Sequence, residues 1–379
     1  MKLALITDGI YPYVMGGMQK HSYFLAKHFA SNGIEVDLYH YKAITTKVLS
    51  DPFTKEELRF IDLIEIDYPA PKKFPGHYLY ERYEYSERVF KVFCSRPLPD
   101  FIYAKGFASW ALLKNRKQYN IKVPIGVNFH GYEMFQKWPD VKTGLKFQIL
   151  KAPVRYIMSK ADILFSYGGN ISDIITSKGH AAKIVEMPTG ISADWLRNKN
   201  ELAKNDEQVN FIFVGRAERR KGIKEINEVL IRFKENTNFT FHFVGPISQK
   251  EQILNSNITY HGPIYDAQTL KSLLDKMDIL VCPSHSEGMP NVIMEGMARG
   301  CAIVATDVGA VNAMVDNANG WLIRGNIAKG LEVAINDALK IDYKELRHKK
   351  IVSLSRVEAN FTWENVINQT IKAIAKIKL

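Results

Sequence analysis

Short apolar runs, each followed by a loop and then by a segment of helical period, recur along the chain. Leu3–Ile6 predicts a buried strand, Gly16-Gly17 punctuates the loop after it, and Met18–Ser31 carries Phe24, Leu25 and Phe29 at helical spacing. Gly33 stops that helix, and Glu35–Tyr41 predicts the next strand. A strand, a helix and a second strand in that order are the unit of a parallel sheet. Phe101–Ala104, Ile125–Phe129 and Ile163–Phe165 continue the strands. Between them Tyr78–Phe93 predicts a helix whose Tyr78, Tyr80, Tyr83 and Tyr85 are expected to be partly buried, with an aromatic surface patch as the alternative.

The pattern restarts near Pro188-Thr189-Gly190. After the polar stretch Asn198–Gln208 come a strand, Phe211–Val214, then Gly215 and a helix over Gly222–Phe233 with Ile223, Ile226, Leu230 and Phe233 on one face. Phe239–Val244, Ile279–Cys282 and Cys301–Ala305 are further strands, and Trp363–Ile377 is a final helix. The fold class is therefore α/β, with two open parallel-sheet domains expected to face each other across a cleft. The expected boundaries are 1–188, 189–360 and a C-terminal segment, 361–379. In such sheets ligands sit beyond the carboxyl ends of the strands.

A chain of 379 residues suits two domains, and 46% hydrophobic with 24% charged residues excludes a mainly disordered one. The net charge of +11 is uneven: residues 1–190 hold 26 basic and 18 acidic side chains, net +8, and residues 191–379 hold 25 and 22, net +3. The first half is the better face for an anionic partner, a phosphorylated substrate or a membrane surface, unless its surface is merely basic. Cys94, Cys282 and Cys301 are widely spaced, which indicates neither a zinc site nor a disulfide framework. The run Leu3–Ile6 is too short for the core of a signal peptide, and no run approaches the roughly 18 apolar residues of a membrane span. A cytoplasmic protein is expected.

Three strand-end loops carry candidate chemistry. Gly16 and Gly17 open a helix, where a bare backbone and unpaired amides suit an anion, although such a turn is as often structural. Val214–Gly222 holds Arg216, Arg219, Arg220 and Lys221 beside a helix start, enough charge to neutralise a diphosphate; a solvated charged turn is the alternative. Ser284–Glu295 combines Glu287 and Glu295 with Gly288 and Met289, where backbone amides are expected to donate, and Pro290 suits the first turn of a helix. Carboxylates accept from sugar hydroxyls and amides bind phosphate, so this loop fits a sugar joined to a nucleotide diphosphate. His130, in Asn128-Phe129-His130-Gly131 after a strand, is either a functional group or a structural hydrogen bonder.

Absent motifs narrow the field. There is no Gly-x-Gly-x-x-Gly, no Gly-x-x-x-x-Gly-Lys-Ser/Thr and no Gly-x-Ser-x-Gly, which disfavours dehydrogenases, P-loop NTPases and hydrolases with a serine elbow. There is no Asp-x-Asp, so no metal site beside a diphosphate is expected and protein cations would do that work. Nothing reads as a nucleic-acid-binding motif.

Taken together, these loops resemble the retaining glycosyltransferases of family 4 (glycosyl transferases group 1), which have the GT-B fold of two Rossmann-like domains. The resemblance runs nearly end to end. It is strongest in Val214–Gly222 and Pro283–Thr306, and its most specific feature is the Glu287-x7-Glu295 pair within Ser-Glu-Gly-Met-Pro-Asn-Val-Ile-Met-Glu-Gly-Met-Ala. Asp8…Pro12…Gly16-Gly17, His130-Gly131 and Pro188-Thr189-Gly190-Ile191 follow in the family's order.

The resemblance implies roles. Gly16 and Gly17 would set amides near the donor phosphates and shape the acceptor pocket. Arg216 and Lys221 would bind the diphosphate and stabilise the charge on the departing nucleotide. Glu287 would hold donor-sugar hydroxyls, with Gly288, Met289, Pro290 and Asn291 lining sugar and phosphate. Glu295 would hold the ribose, and His130 would contact the donor sugar near the anomeric centre. The catalytic set is thus His130, Arg216, Lys221 and Glu287, without a metal or other cofactor. The first domain would bind the acceptor and the second the nucleotide sugar, with the last helix crossing back to the first.

The donor expected is a UDP-sugar, with a GDP-sugar second. The acceptor expected is a glycan or lipid-linked oligosaccharide of bacterial envelope polysaccharide synthesis, reached from the inner face of the membrane, whose anionic surface is a candidate partner. A nucleotide-sugar epimerase or hydrolase of the same fold, or a catalytically silent sugar-nucleotide-binding subunit, are the alternatives. The chain departs from the family at Glu295-Gly296, at Gly309-Ala310-Val311-Asn312-Ala313, where one acidic contact is missing, and at Pro188-Thr189-Gly190-Ile191-Ser192.

Overall fold

The structure, a computed structural model, describes residues 1–43, 52–74, 76–178, 183–202 and 208–376. Residues 203–207 of the polar stretch and Ile377 at the end of the predicted last helix lie outside the described residues. The chain divides into two units. One comprises Met1–Phe135, Gly144–Gly190 and Trp363–Leu379; the other comprises Gln136–Thr143 and Ile191–Thr362.

The first unit is built on a parallel sheet of β1 (Lys2–Ile6), β2 (Glu35–His40), β3 (Ile61–Glu65), β4 (Phe101–Lys105), β5 (Ile125–Asn128), β6 (Ile163–Ser166) and β7 (Lys183–Glu186). Their order across the sheet is β3-β2-β1-β4-β5-β6-β7. Leu3 lies opposite both Val36 and Phe101. β4, β5 and β6 are buried along their whole length, and β1 from its second residue. That is why they read as unbroken apolar runs. β3 and β7 show no such run for the opposite reason: they form the sheet edges, and exposed positions interrupt the apolar ones of β3 and flank the two of β7.

The second unit repeats the plan with β8 (Val209–Val214), β9 (Phe239–Val244), β10 (Ile258–Tyr260), β11 (Ile279–Cys282), β12 (Ala302–Thr306) and β13 (Gly320–Ile323), in the order β10-β9-β8-β11-β12-β13. All pairings are parallel, with Phe211 opposite both Phe241 and Ile279. Two parallel Rossmann-like sheets, one per unit, are the architecture the β/α periodicity predicts.

Helices cover the sheets through their apolar faces. In the first unit Leu25 and Phe29 of the helix Gly17–Ser31 pack with Leu3, Leu5 and Phe101, and Trp363 of the helix Trp363–Ala375 joins the same core. Trp363 stacks on Phe24 and His28. In the second unit Ile226 and Leu230 of the helix Ile223–Arg232 pack on Phe211 and Phe241. Each such side chain contributes about 1.5–3 kcal/mol on leaving water. Tyr78–Phe93 is helical within His77–Cys94, with Tyr85 buried, Tyr80 exposed, and Tyr78 and Tyr83 between.

Candidate functional site

In each sheet the connections reverse direction between two neighbouring strands, and that reversal opens a crevice beyond their carboxyl ends. In the second unit the two strands are β8 and β11. After β8 the chain runs through Gly215 and Arg216, makes a short 3-10 turn over Arg219–Lys221, and enters the helix Ile223–Arg232 at Gly222. After β11 it runs through Pro283–Pro290 into the helix Asn291–Ala298.

The two loops meet backbone to backbone. The His285 amide donates to the Arg220 carbonyl at 2.7 Å. Gly222 has φ +80°, and a Cβ there would lie 2.2 Å from the Pro283 carbonyl oxygen. Only glycine tolerates both conditions. Gly309, at φ +57°, supports the second loop in the same way: a Cβ would lie 2.3 Å from the Glu287 carbonyl oxygen.

Glu287 is the centre of this arrangement. Lys221 Nζ is 2.6 Å from its Oε1, the Ser284 hydroxyl donates to the same oxygen at 2.8 Å, and Arg220 Nη1 is 3.5 Å from its Oε2. Burial by itself raises the pKa of Glu287, but the charges of Lys221 and Arg220, with hydrogen bonds from Lys221 and Ser284, outweigh it and hold the carboxylate below its usual range. The buried Cys282 thiol nearby is pushed up to about 11, first by burial and then by the Glu287 charge. Arg219 and His285 pair with Glu225 instead.

Arg216 stays outside this cluster. Its side chain is 71% exposed, and the guanidinium pairs with Glu218 at 2.9 Å. Gly288, Met289 and Pro290 are buried under the loop. Pro290 stands at the cap position rather than in the first turn, because its ψ of 113° is still extended, and the helix begins at Asn291. Glu295 lies on that helix, eight residues after Glu287 and half-buried. Ser286 Oγ and Asn291 Oδ1 are buried without a hydrogen-bond partner among the described residues. Such orphaned groups in a strand-end loop are ones a ligand can satisfy.

In the first unit the reversal lies between β1 and β4. Gly16 and Gly17 are exposed at the start of the helix Gly17–Ser31. Gly16 is extended, and a Cβ there would meet only the end of the Gln19 side chain. Asp8 follows β1 and pairs with Arg82 at 3.4 Å; burial raises its pKa, and Arg82 partly opposes this. His130 follows β5 with its Nδ1 2.9 Å from the Tyr167 hydroxyl.

That contact ends a buried network which sequence reasoning missed. Lys105 Nζ is 2.9 Å from His21 Nδ1 and donates to Asn128 Oδ1 at 2.7 Å; the Tyr167 hydroxyl donates to the same oxygen at 3.2 Å. Burial drives Lys105 and His21 well below their usual pKa values, and the Lys105 charge lowers His21 further. The available signal was a lysine closing an otherwise apolar strand ahead of Gly106. Among the described residues no group of three His, Cys, Asp or Glu side chains could hold a metal.

Residues 208–340 match the model of the family described as glycosyl transferases group 1. This stretch holds both second-unit loops, from Arg216 to Glu295. Over nearly the whole length, covering 96% of this chain and 95% of the relative, the protein is 24% identical to the uncharacterized glycosyltransferase MJ1178 of Methanocaldococcus jannaschii. It is 30% identical to the N,N'-diacetylbacillosaminyl-diphospho-undecaprenol alpha-1,3-N-acetylgalactosaminyltransferase of Campylobacter jejuni, over 43% of each chain. Relatives from Bacillus subtilis and Klebsiella pneumoniae are matched over only 31% and 35% of their length. Among solved structures, Anabaena Alr3699/HepE in complex with UDP superposes with a TM-score of 0.70 at 15% identity, covering 99% of this chain and all of that one. Residues 208–340 are thus similar to the glycosyl transferases group 1 family, and the fold of the chain is GT-B.

Proposed function

We propose that this protein is a retaining glycosyltransferase that moves a sugar from a nucleotide-diphosphate sugar, UDP-linked, to a hydroxyl of a glycan or lipid-linked acceptor. The observation that carries this reading is the Lys221–Glu287–Arg220–Ser284 cluster on the loops after β8 and β11. It sets cations beside a carboxylate that stays ionised, the pairing a diphosphate and a polyol need together. Arg216 and Lys221 bind the diphosphate and stabilise the charge that grows as the nucleotide leaves. Glu287 accepts from donor-sugar hydroxyls, Asn291 completes its hydrogen bonds on the ligand, and Glu295 takes the ribose. The acceptor hydroxyl attacks from the face the nucleotide leaves, and the departing phosphate takes its proton. No metal is required, because side-chain cations and helix N-termini carry the charge.

A UDP complex of a structural neighbour and the undecaprenol-diphosphate acceptor named for the Campylobacter relative support the choice of donor and acceptor class. The helix Val141–Lys160 supports a membrane-side acceptor. It contains no acidic residue, and its Val141, Leu145 and Ile149, one turn apart, are 78%, 66% and 51% exposed beside Lys142 and Lys146. Tyr78 of the neighbouring helix donates to the Lys146 carbonyl at 3.4 Å. An apolar stripe flanked by lysines suits an anionic leaflet. Among the described residues no helix is long and apolar enough to cross a membrane.

Thermal shift with a panel of nucleotide sugars tests the donor, since a ligand that binds only the folded chain raises its melting temperature. Stabilisation by UDP-sugars, retained in EDTA, is expected. Stabilisation by none of them, or conversion of donor to an epimer without any acceptor, overturns the reading. For the membrane step, flotation with phosphatidylglycerol vesicles at low salt is expected to carry the protein, and Leu145→Ser/Ile149→Ser to release it.

A further inference from the structure

We propose that Lys105, Asn128 and Tyr167 are positioning residues that fix the proton of His130 on Nδ1, so that neutral His130 offers the lone pair of Nε2. The argument follows a single line of hydrogen bonds inside the first unit. Asn128 Nδ2 donates to the Phe165 carbonyl at 3.3 Å, which sets the amide. Turned over, its Oδ1 would face that carbonyl, acceptor against acceptor. Asn128 Oδ1 therefore points the other way, where Lys105 Nζ donates at 2.7 Å and the Tyr167 hydroxyl at 3.2 Å.

A tyrosine hydroxyl has one proton to give. Spent on Asn128, it leaves the Tyr167 oxygen as an acceptor toward His130 Nδ1, 2.9 Å away, and Nδ1 must then carry a hydrogen. The opposite tautomer would draw the Tyr167 proton to His130 and leave two bare oxygens facing each other at 3.2 Å. Burial supports the assignment. Tyr167 is 1% exposed and its pKa is pushed well above the ordinary value, so it keeps its proton. Lys105 is equally buried and is anchored from behind by His21. The line runs from the strand end of β4 through those of β5 and β6 to the loop holding His130, and it is held by the sheet rather than by a mobile loop.

The functional consequence rests on the transferase reading. With Nδ1 already bonded, His130 meets a sugar as an acceptor, taking a hydrogen bond from a hydroxyl at Nε2 and not giving one to a ring or glycosidic oxygen. Lys105 and Tyr167 thus influence the reaction without touching the substrate.

The test is the ring-nitrogen spectrum of the full chain labelled with 15N-histidine, with the His130 signals identified among the 10 histidines by their loss in His130→Gln. The expected wild-type result is a neutral ring with its proton on Nδ1 and none on Nε2. Tyr167→Phe, which removes one oxygen, is expected to shift the proton toward Nε2, and Lys105→Met to do so more weakly. In turnover, Tyr167→Phe should lower kcat by roughly three- to tenfold with KM little changed, the size of one neutral hydrogen bond. A wild-type His130 with its proton on Nε2, or a tautomer unmoved by Tyr167→Phe, overturns the proposal. The spectrum needs no substrate: a protonated Nδ1 in a protein that transfers no sugar would sink the transferase reading and leave the tautomer standing.

Discussion

The two units repeat one topology and treat charge in opposite ways. Beyond β8 and β11, Glu287 is buried yet stays ionised, because Lys221 and Arg220 reach it from the adjoining loop. At the end of β4, burial drives Lys105 toward the neutral amine: the Asp8 charge opposes this only in part, and the groups that bond the lysine, His21 and Asn128, carry no opposite charge. A parallel sheet supplies a crevice at its reversal point and nothing more. Whether that crevice holds fixed charges or a chain of neutral hydrogen bonds is decided by which side chains end the strands. The first suits a diphosphate and the second a sugar hydroxyl.

The sharpest way to break this contrast is to remove the second unit's cations. Arg216→Ala and Lys221→Ala should each lower turnover by about 100-fold or more, the scale of a lost transition-state charge donor. Arg216→Ala should leave the melting temperature unchanged, since its pair with Glu218 is exposed. Lys221→Ala should lower it, since Glu287 loses its nearest partner. Normal steady-state rates for Arg216→Ala would show that the charged crevice is not where the diphosphate leaves.

A smaller effect tests how rigidly each region is held. Gly309→Ala must find room for a Cβ 2.3 Å from the Glu287 carbonyl oxygen, whereas Gly33→Ala, at φ +70°, meets nothing within 4 Å. Gly33→Ala should then cost about 1–2 kcal/mol, the left-handed backbone alone. Gly309→Ala should cost more and should also weaken donor binding. Equal losses in chemical denaturation would mean that the Glu287 loop gives way.

The smallest effect is in pH. His21 has a folded pKa well below its usual 6.5, so the unfolded chain binds a proton the folded one refuses, and its share of stability falls as pH drops below about 6.5. Glu225 differs. Burial raises its pKa, but bonds from His285 and Arg219 bring it to about 2, so its contribution is complete above 4.5 and fades between 4.5 and about 2. His21→Gln should flatten the stability curve from pH 6.5 downward, and Glu225→Gln should change it only below about 4.5. Melts of both variants between pH 7 and 3 would show the order; a Glu225→Gln difference confined to neutral pH would contradict it.

Much of the fold was legible because central strands are buried on both faces. Leu3–Ile6, Phe101–Ala104 and Ile279–Cys282 show it as unbroken apolar runs. β3 and β10 were not, since a half-exposed edge strand mixes polar with apolar residues and resembles a loop. The loops around Arg216, Lys221 and Glu287 were visible through glycine, proline and charge, all local signals. The neighbours of Glu287 were not: nothing in the spacing of 66 residues says that Lys221 reaches Glu287 while Arg216 turns to Glu218.

By itself the sequence determined the alternation of strands and helices, the glycines at turns that no Cβ can enter, and the residue types at the strand ends. Those follow from periodicity and local sterics, which act over a few residues. Only the tertiary structure decided that Lys105 lies against His21, 84 residues away, and that Trp363 stacks on Phe24. Burial depth and hydrogen-bond direction depend on neighbours that only sheet order and packing bring together, and they set which groups keep their charge.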